Sequence, residues 1–124
     1  MLWTNIFGMS VDFLRIEDQP GTHAGQRVLR LNGPLVLTTL FEFQAVVRGN
    51  TSQALIIDLS GVPYIDSAGI GALVGAYVRH QKEGHSLALV GVCERVHNAL
   101  KVTRVEQFFR SFNSVSEAEQ ASVA

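Results

Sequence analysis

Short apolar stretches separated by polar turns predict an alternation of strands and helices along most of this chain. Residues 11–16 and 27–31 have the composition of strands, and the turn-forming segments 18–21 and 32–34 follow them. A continuous apolar run at 54–57 is typical of a strand that is buried on both faces. Such a strand is expected in the middle of a sheet that helices cover.

Helical periodicity predicts the intervening elements. Thr39 and Glu42 have the spacing of a capping box at the start of a helix that Gly49 closes. The helix predicted over 67–83 has the strongest pattern, with apolar residues at i, i+3, i+4, i+7 and i+8 from Ile70. The remaining predicted elements are a strand at 87–90, a helix at 95–103, a strand at 108–112 and a final helix capped by Ser114 or Ser116.

The predicted order is β-β-α-β-α-β-α-β-α. Alternation after the first hairpin indicates an α/β fold, with a mostly parallel sheet of about five strands, about four helices and right-handed crossovers. A chain of 124 residues can form one domain with a sizeable core. We expect that domain at 11–120, preceded by a leader at 1–10 and followed by a tail at 121–124.

Composition narrows the classes of function. The chain is 47% hydrophobic and 17% charged, with a net charge of −1 and no clustered basic face, so we expect no nucleic-acid binding. No apolar run approaches the ~20 residues of a membrane span, and the leader lacks the features of a signal peptide, so we expect no membrane insertion. Cys93 is the single cysteine, which excludes an internal disulfide and fits a cytoplasmic protein.

The most informative segment is 58–71, which runs from the end of a central strand into the strongest helix. Ser67 lies at the predicted helix start, where backbone N–H groups and the helix dipole favour a phosphate. The small residues Ala68 and Gly69 would let another protein approach closely, and Ile70 adds apolar surface. Two simpler interpretations stay open: Asp66 and Ser67 are common helix caps, and the small residues could allow tight packing on the sheet.

The string D-L-S-G-V-x-x-I-D-S-A-G-I-G-A-L, from Asp58 to Leu73, resembles the signature of the STAS family, the anti-sigma factor antagonists. The resemblance extends over about residues 11–118. It implies that Ser67, directly after Asp66, is the phosphorylated serine. It also implies binding to an anti-sigma factor that is a serine kinase, with a phosphatase to reset the cycle. The chain itself would then be no enzyme and need no cofactor.

The sequence departs from the family pattern at Val36, where many family members have an acidic residue. This departure leaves the partner's identity open. The alternative function is that of a subunit of a larger stress-signalling or membrane-transporter assembly, with little or no phosphorylation.

The resemblance also indicates a docking surface for the partner. The expected contacts are Asp66, Ala68, Gly69 and Ile70 at the centre of this surface, and Gly33, Pro34, Leu35 and Thr38 at its edge.

Rival chemistries fit the sequence less well. In a receiver domain Asp58 would accept phosphate, but no lysine follows the strand at 87–90. In a hydrolase Ser67 would lie on a G-x-S-x-G elbow, but Ile65 replaces the first glycine. The spacing of Gly69, Gly71 and Gly75 does not match a dinucleotide loop. No metal-ligand spacing occurs among the histidines, which are His23, His80, His85 and His97.

Overall fold

The computed structural model describes residues 2–4 and 10–122, which form a main sheet of five strands, a separate sheet of two strands, and four helices. The strands are β1 (Leu2–Thr4), β2 (Ser10–Asp12), β3 (Arg15–Pro20), β4 (Gln26–Asn32), β5 (Ala54–Gly61), β6 (Ser86–Val90) and β7 (Arg110–Phe112). The helices are α1 (Leu40–Arg48), α2 (Ser67–Lys82), α3 (Glu94–Val102) and α4 (Val115–Ala121), with a 3-10 turn at Glu106–Phe108.

The main sheet has its strands in chain order, β3-β4-β5-β6-β7. β3 and β4 form an antiparallel hairpin, and every later pair is parallel. A helix joins each parallel pair, because parallel neighbours need a crossover connection. The predicted α/β class is therefore confirmed, and so is the alternation of helices and strands from β3 onward. The separate sheet of β1 and β2 lies outside the predicted order. The carboxyl ends of β4 and β5 lead into α1 and α2, so both helix starts lie at one edge of the sheet.

Helices α1, α2 and α3 contribute to the larger core on one face of the sheet, and α4 covers the other face. Alternation along β5 places Leu55, Ile57 and Leu59 in the larger core. Ile56 points the other way, into the cluster that α4 covers. All four side chains are at most 1% exposed. The prediction of a strand buried on both faces is thus confirmed.

The start of the sheet differs from its prediction. Instead of one strand over 11–16 and a turn at 18–21, β2 ends at Asp12, and β3 begins at Arg15 and continues to Pro20. β3 is an edge strand whose side chains are mostly exposed, so its polar sequence resembles that of a turn. Proline is tolerated there, since one side of an edge strand has no ladder bonds to lose.

The capping box predicted for α1 is wrong. Thr39 is the N-cap residue, but its φ and ψ of −119° and −14° are not those of a capping conformation, and its side chain makes no cap bond. The Thr39 hydroxyl instead donates to the Pro34 carbonyl at 2.8 Å and accepts from the Val36 N–H at 3.0 Å. Thr39 therefore closes the loop at 34–39 and fixes its shape.

The last third of the chain is partly as predicted. The strand expected at 108–112 is confined to β7, because the 3-10 turn places Phe108 and Phe109 against Tyr77 of α2, with ring centroids 5.7 and 5.6 Å away. Of the two candidate caps for α4, Ser114 is confirmed, since its side chain accepts from the Glu117 N–H at 3.1 Å.

Candidate functional site: the start of helix α2

Asp66, not Ser67, caps helix α2. Asp66 has an extended backbone, and its Oδ1 accepts a hydrogen bond from the Gly69 N–H at 2.8 Å. Ser67 follows as the first helical residue, and its side chain is exposed. Since Asp66 supplies the cap bond, the Ser67 hydroxyl is not needed for it. An exposed serine hydroxyl therefore lies at the positive end of a 16-residue helix.

The second oxygen of Asp66 holds the neighbouring loop. Asp66 Oδ2 accepts from the Leu37 N–H at 3.0 Å. Next to this contact, Leu35 and Ile65 form a parallel bridge, and the Leu35 N–H donates to the Tyr64 carbonyl at 3.3 Å. The loop before α1 and the loop before α2 are consequently joined into one surface. We define the switch surface as six exposed or half-buried residues around this contact and the start of α2, which are Gly33, Leu37, Thr38, Asp66, Ser67 and Ala68.

Gly69 allows this close approach of the two loops. A Cβ atom at Gly69 would lie 2.0 Å from the Leu35 carbonyl oxygen, which is backbone and has little room to move. At Gly71 a Cβ would meet nothing within 4 Å. The sequence left open whether the small residues admit a partner or allow tight packing on the sheet. Gly69 does pack tightly, but against the loop before α1 and not against the sheet, whereas Gly71 leaves open space on the helix.

Replacing Gly69 by alanine is expected to destabilise the protein by about 1–3 kcal/mol, because the new methyl group overpacks the loop contact. Gly71→Ala is the matched control, and it should stabilise by up to about 1 kcal/mol through helix propensity. Urea unfolding of both variants measures the two effects. Equal stability of the two variants would show that the Gly69–Leu35 contact is not restrictive.

The residues predicted from the sequence to contact a partner fall into two layers. Ser67 and Thr38 are exposed, and Gly33, Asp66 and Ala68 are half-buried. The others are buried and support the surface from below, namely Pro34, Leu35, Gly69 and Ile70. Val36, which occupies the position where family members often have an acid, is also buried and only 8% exposed.

Sequence reasoning missed two large apolar side chains beside the switch surface. Leu37 is 59% exposed and Phe41 is 65% exposed. The exposure of Phe41 could have been predicted from the sequence. The buried face of α1 consists of Leu40, Phe43 and Val47, and Phe41 does not fit that helical spacing. An apolar residue on the solvent side of an amphipathic helix is a feature that a partner could explain.

Tyr64 and Arg95 connect the switch surface to more distant elements. The Tyr64 hydroxyl donates to Asp12 Oδ2 at 3.2 Å, and the Arg95 guanidinium carbon lies 5.0 Å from the Tyr64 ring centroid. Partial burial, and then the hydrogen bond to Asp12, raise the pKa of Tyr64 above its usual value of 10. The phenol therefore stays protonated at neutral pH and keeps donating to Asp12.

The residues of the rival chemistries have structural roles. Asp58 organises the end of β5, since its Oδ1 accepts from the Ser60 N–H at 2.9 Å and its Oδ2 lies 3.4 Å from Arg30 Nε. His80 lies about 20 Å along α2 from Ser67, given thirteen residues at 1.5 Å each. Its ring Nδ1 is 2.9 Å from the Ala76 carbonyl oxygen.

Within residues 2–4 and 10–122, no group of three or more histidine, cysteine, aspartate or glutamate side chains could hold a metal ion. Over the same ranges, no helix has the length and apolar character needed to cross a membrane.

The sheet in chain order, with three helices on one face and one on the other, defines a small open α/β domain whose two joined loops form a surface at one edge. The model of the STAS domain family matches residues 14–118, which is most of the chain. This protein therefore belongs to the STAS domain family, and the resemblance seen in the sequence is confirmed.

Solved structures share this fold. An anti-sigma factor antagonist from Mycobacterium paratuberculosis matches with a TM-score of 0.74 and 22% identity, over 87% of this chain and 94% of that one. The anti-sigma factor antagonist SpoIIAA in its unphosphorylated form has a TM-score of 0.69 and 13% identity, over 87% of this chain and 95% of SpoIIAA. The murine anion transporter solute carrier 26 family member A9 has a TM-score of 0.71 and 24% identity, over 94% of this chain and 23% of the transporter.

Proposed function

We propose that this protein is an anti-sigma factor antagonist, a non-enzymatic switch whose binding to an anti-sigma factor serine kinase is controlled by phosphorylation of Ser67. The observation that carries the proposal is the exposed Ser67 hydroxyl at the start of α2, next to a carboxylate that already performs the capping. In this cycle the unphosphorylated protein occupies the kinase and frees a sigma factor. A phosphatase restores the unphosphorylated form in the cytoplasm.

The start of α2 can accept a phosphate without refolding. Asp66 occupies the Gly69 N–H, but the N–H groups of Ser67 and Ala68 have no acceptor within the helix, as in any first helical turn. A phosphate on Ser67 would gain about 0.3–1 kcal/mol from the helix dipole. The modified protein should therefore remain folded, and the change should be confined to the surface that meets the partner.

The same phosphate should disrupt a docked complex. It adds about −1.5 to −2 charges beside the Asp66 carboxylate, together with three oxygens that need room and solvent. At a tight interface, repulsion and lost hydration cost several kcal/mol. A loss of about 3–4 kcal/mol weakens binding roughly 10²–10³-fold, which is sufficient for an exchange of partners.

A subunit of a larger stress-signalling or transporter assembly is the second candidate. The shared fold with an anion transporter, whose chain is about four times longer, supports this alternative. Both candidates use the switch surface for docking, but only the first requires a phosphate on Ser67. Genes for a kinase and a sigma factor next to this one would favour the first candidate, and genes for transporter subunits would favour the second.

Incubation with a neighbouring candidate kinase and ATP should label the wild-type protein on Ser67 and leave Ser67→Ala unlabelled. The matched control is Ser60→Ala, since Ser60 is exposed at the end of β5 on the same edge of the sheet and should not affect labelling. Peptide mapping by mass spectrometry locates the phosphate. Labelling at another residue, or undiminished labelling of Ser67→Ala, would contradict the proposed switch.

A further inference from the structure

A groove lies beside the switch surface, between the β2–β3 junction and the start of α1. Its volume is about 300 Å³. Leu14, which is 7% exposed, and Thr39, which is 7% exposed, are its buried lining residues. The more accessible residues that line it are Asp12, Phe13, Thr38, Phe41 and Glu42.

Large apolar side chains are concentrated around this groove. Among the described residues, six large hydrophobic side chains are exposed, and Phe13, Leu37 and Phe41 are three of them. Phe13 and Phe41 line the groove, and Leu37 directly precedes Thr38 of its lining. The other three lie on α2, on α3 and in the 3-10 turn. A clustered apolar surface of this kind is typical of a protein interaction site.

The charges around the groove have one sign. Asp12 and Glu42 contribute carboxylates, and no lysine, arginine or histidine is among the described residues that line it. One oxygen of Asp12 accepts the Tyr64 hydroxyl, which leaves its other oxygen for a further donor. The exposed ring of Phe41 next to these carboxylates favours a cation with a flat or apolar body. An arginine side chain has this chemistry, because its guanidinium stacks on aromatic faces and donates to carboxylates.

We propose that this groove is a second docking site for the partner protein and receives an arginine that is flanked by apolar side chains. This inference rests on the proposed function, because the partner that it describes is the anti-sigma kinase. Two hydrogen bonds connect the groove to the start of α2. Asp66 holds Leu37 next to the groove, and Tyr64 holds Asp12 within it.

The groove and Ser67 have separate tasks. A partner that docks on Phe41 and Glu42 gains affinity and specificity there, whether or not Ser67 is modified. The phosphate acts at the neighbouring Ser67, where it interferes with close contact. Asp12 and Glu42 place negative charge beside the start of α1, where the buried Val36 supplies none.

The first test measures affinity for the kinase that labels Ser67, by isothermal titration calorimetry. Phe41→Ala should weaken binding about 10–100-fold, as for a buried aromatic anchor. Glu42→Gln should weaken it about 3–10-fold and reduce its salt dependence. The matched control is Val102→Ala on α3, an apolar residue that is 81% exposed outside the groove and should leave the affinity unchanged. All of these side chains are exposed, so the variants should fold.

The outcomes separate this inference from the proposed function. If Ser67→Asp abolishes binding while Phe41→Ala and Glu42→Gln bind like the wild type, the groove is not a docking site and the switch stands. If the wild type binds no kinase, the proposed function fails, and a second test decides about the groove. In that test, ¹⁵N-labelled protein is titrated with the dipeptide acetyl-Leu-Arg-amide and with its citrulline analogue. Selective shifts of Phe41 and Glu42 with arginine support the groove, and their absence overturns it.

Discussion

Replacing Ser67 by aspartate is expected to weaken binding of the proposed partner, an anti-sigma kinase, about 10²–10³-fold. The new carboxylate stands next to Asp66 at the exposed start of α2, so two negative charges would enter the same part of the interface. Burying them costs about 3–4 kcal/mol in the complex, whereas the free protein gains slightly from the helix dipole. Surface plasmon resonance on the kinase measures the change in affinity.

The matched control for this effect is Ser116→Asp. Ser116 is also an exposed serine in the first turn of a helix, but α4 covers the other face of the sheet. The substitution adds the same charge in a similar local setting, and the affinity should change less than twofold. Equal affinities of the wild type and Ser67→Asp would refute the switch, and equal losses in both variants would indicate a nonspecific effect of charge.

Replacing Asp66 by alanine is expected to lower the free energy of unfolding by about 2–4 kcal/mol. The N-cap bond to the Gly69 N–H contributes about 0.5–2 kcal/mol of this loss. The bond from the Leu37 N–H to the charged carboxylate contributes about 1.5–3 kcal/mol, reduced by its partial exposure. Urea unfolding monitored by circular dichroism gives the total.

A second substitution at the same position separates the two contributions. Serine is a good N-cap residue, so Asp66→Ser should recover most of the capping energy. Its side chain has one oxygen and cannot also hold Leu37, so the loop at 34–39 should still lose protection from amide hydrogen exchange. Full stability of Asp66→Ala would mean that the two loops are held together by the Leu35–Ile65 bridge and the Gly69 contact alone.

Local patterns predicted most of the elements because each of those patterns has a local physical cause. The apolar run at 54–57 predicted β5. The helical spacing of apolar residues from Ile70 onward predicted α2, and the predicted end lies within one residue of the observed end. The motif from Asp58 to Leu73 indicated the family, which the match over residues 14–118 confirms. The position of Ser67 at the start of α2 was also predicted locally, but the sequence left open whether Asp66 or Ser67 caps the helix, since both are common caps.

Three features were not predicted because each depends on a specific contact that hydrophobic periodicity does not record. The hydroxyl of Thr39 has the right spacing for a cap but closes the preceding loop instead. β3 has a polar sequence and is a strand only because β4 supplies its hydrogen bonds. Phe108 is a residue type that is common in strands, but its ring stacks on Tyr77 of α2 and it is the last residue of the 3-10 turn.

The amino-acid sequence by itself determined the α/β class, the order of the elements and the place of a serine at the start of the best helix, because hydrophobic periodicity and capping depend on near neighbours. Only the tertiary structure decided what surrounds that serine. It joined Asp66 to Leu37, placed Gly69 against Leu35 and left Phe41 exposed at a groove. These contacts arise when the sheet brings β4 and β5 side by side, which no pattern along the chain records.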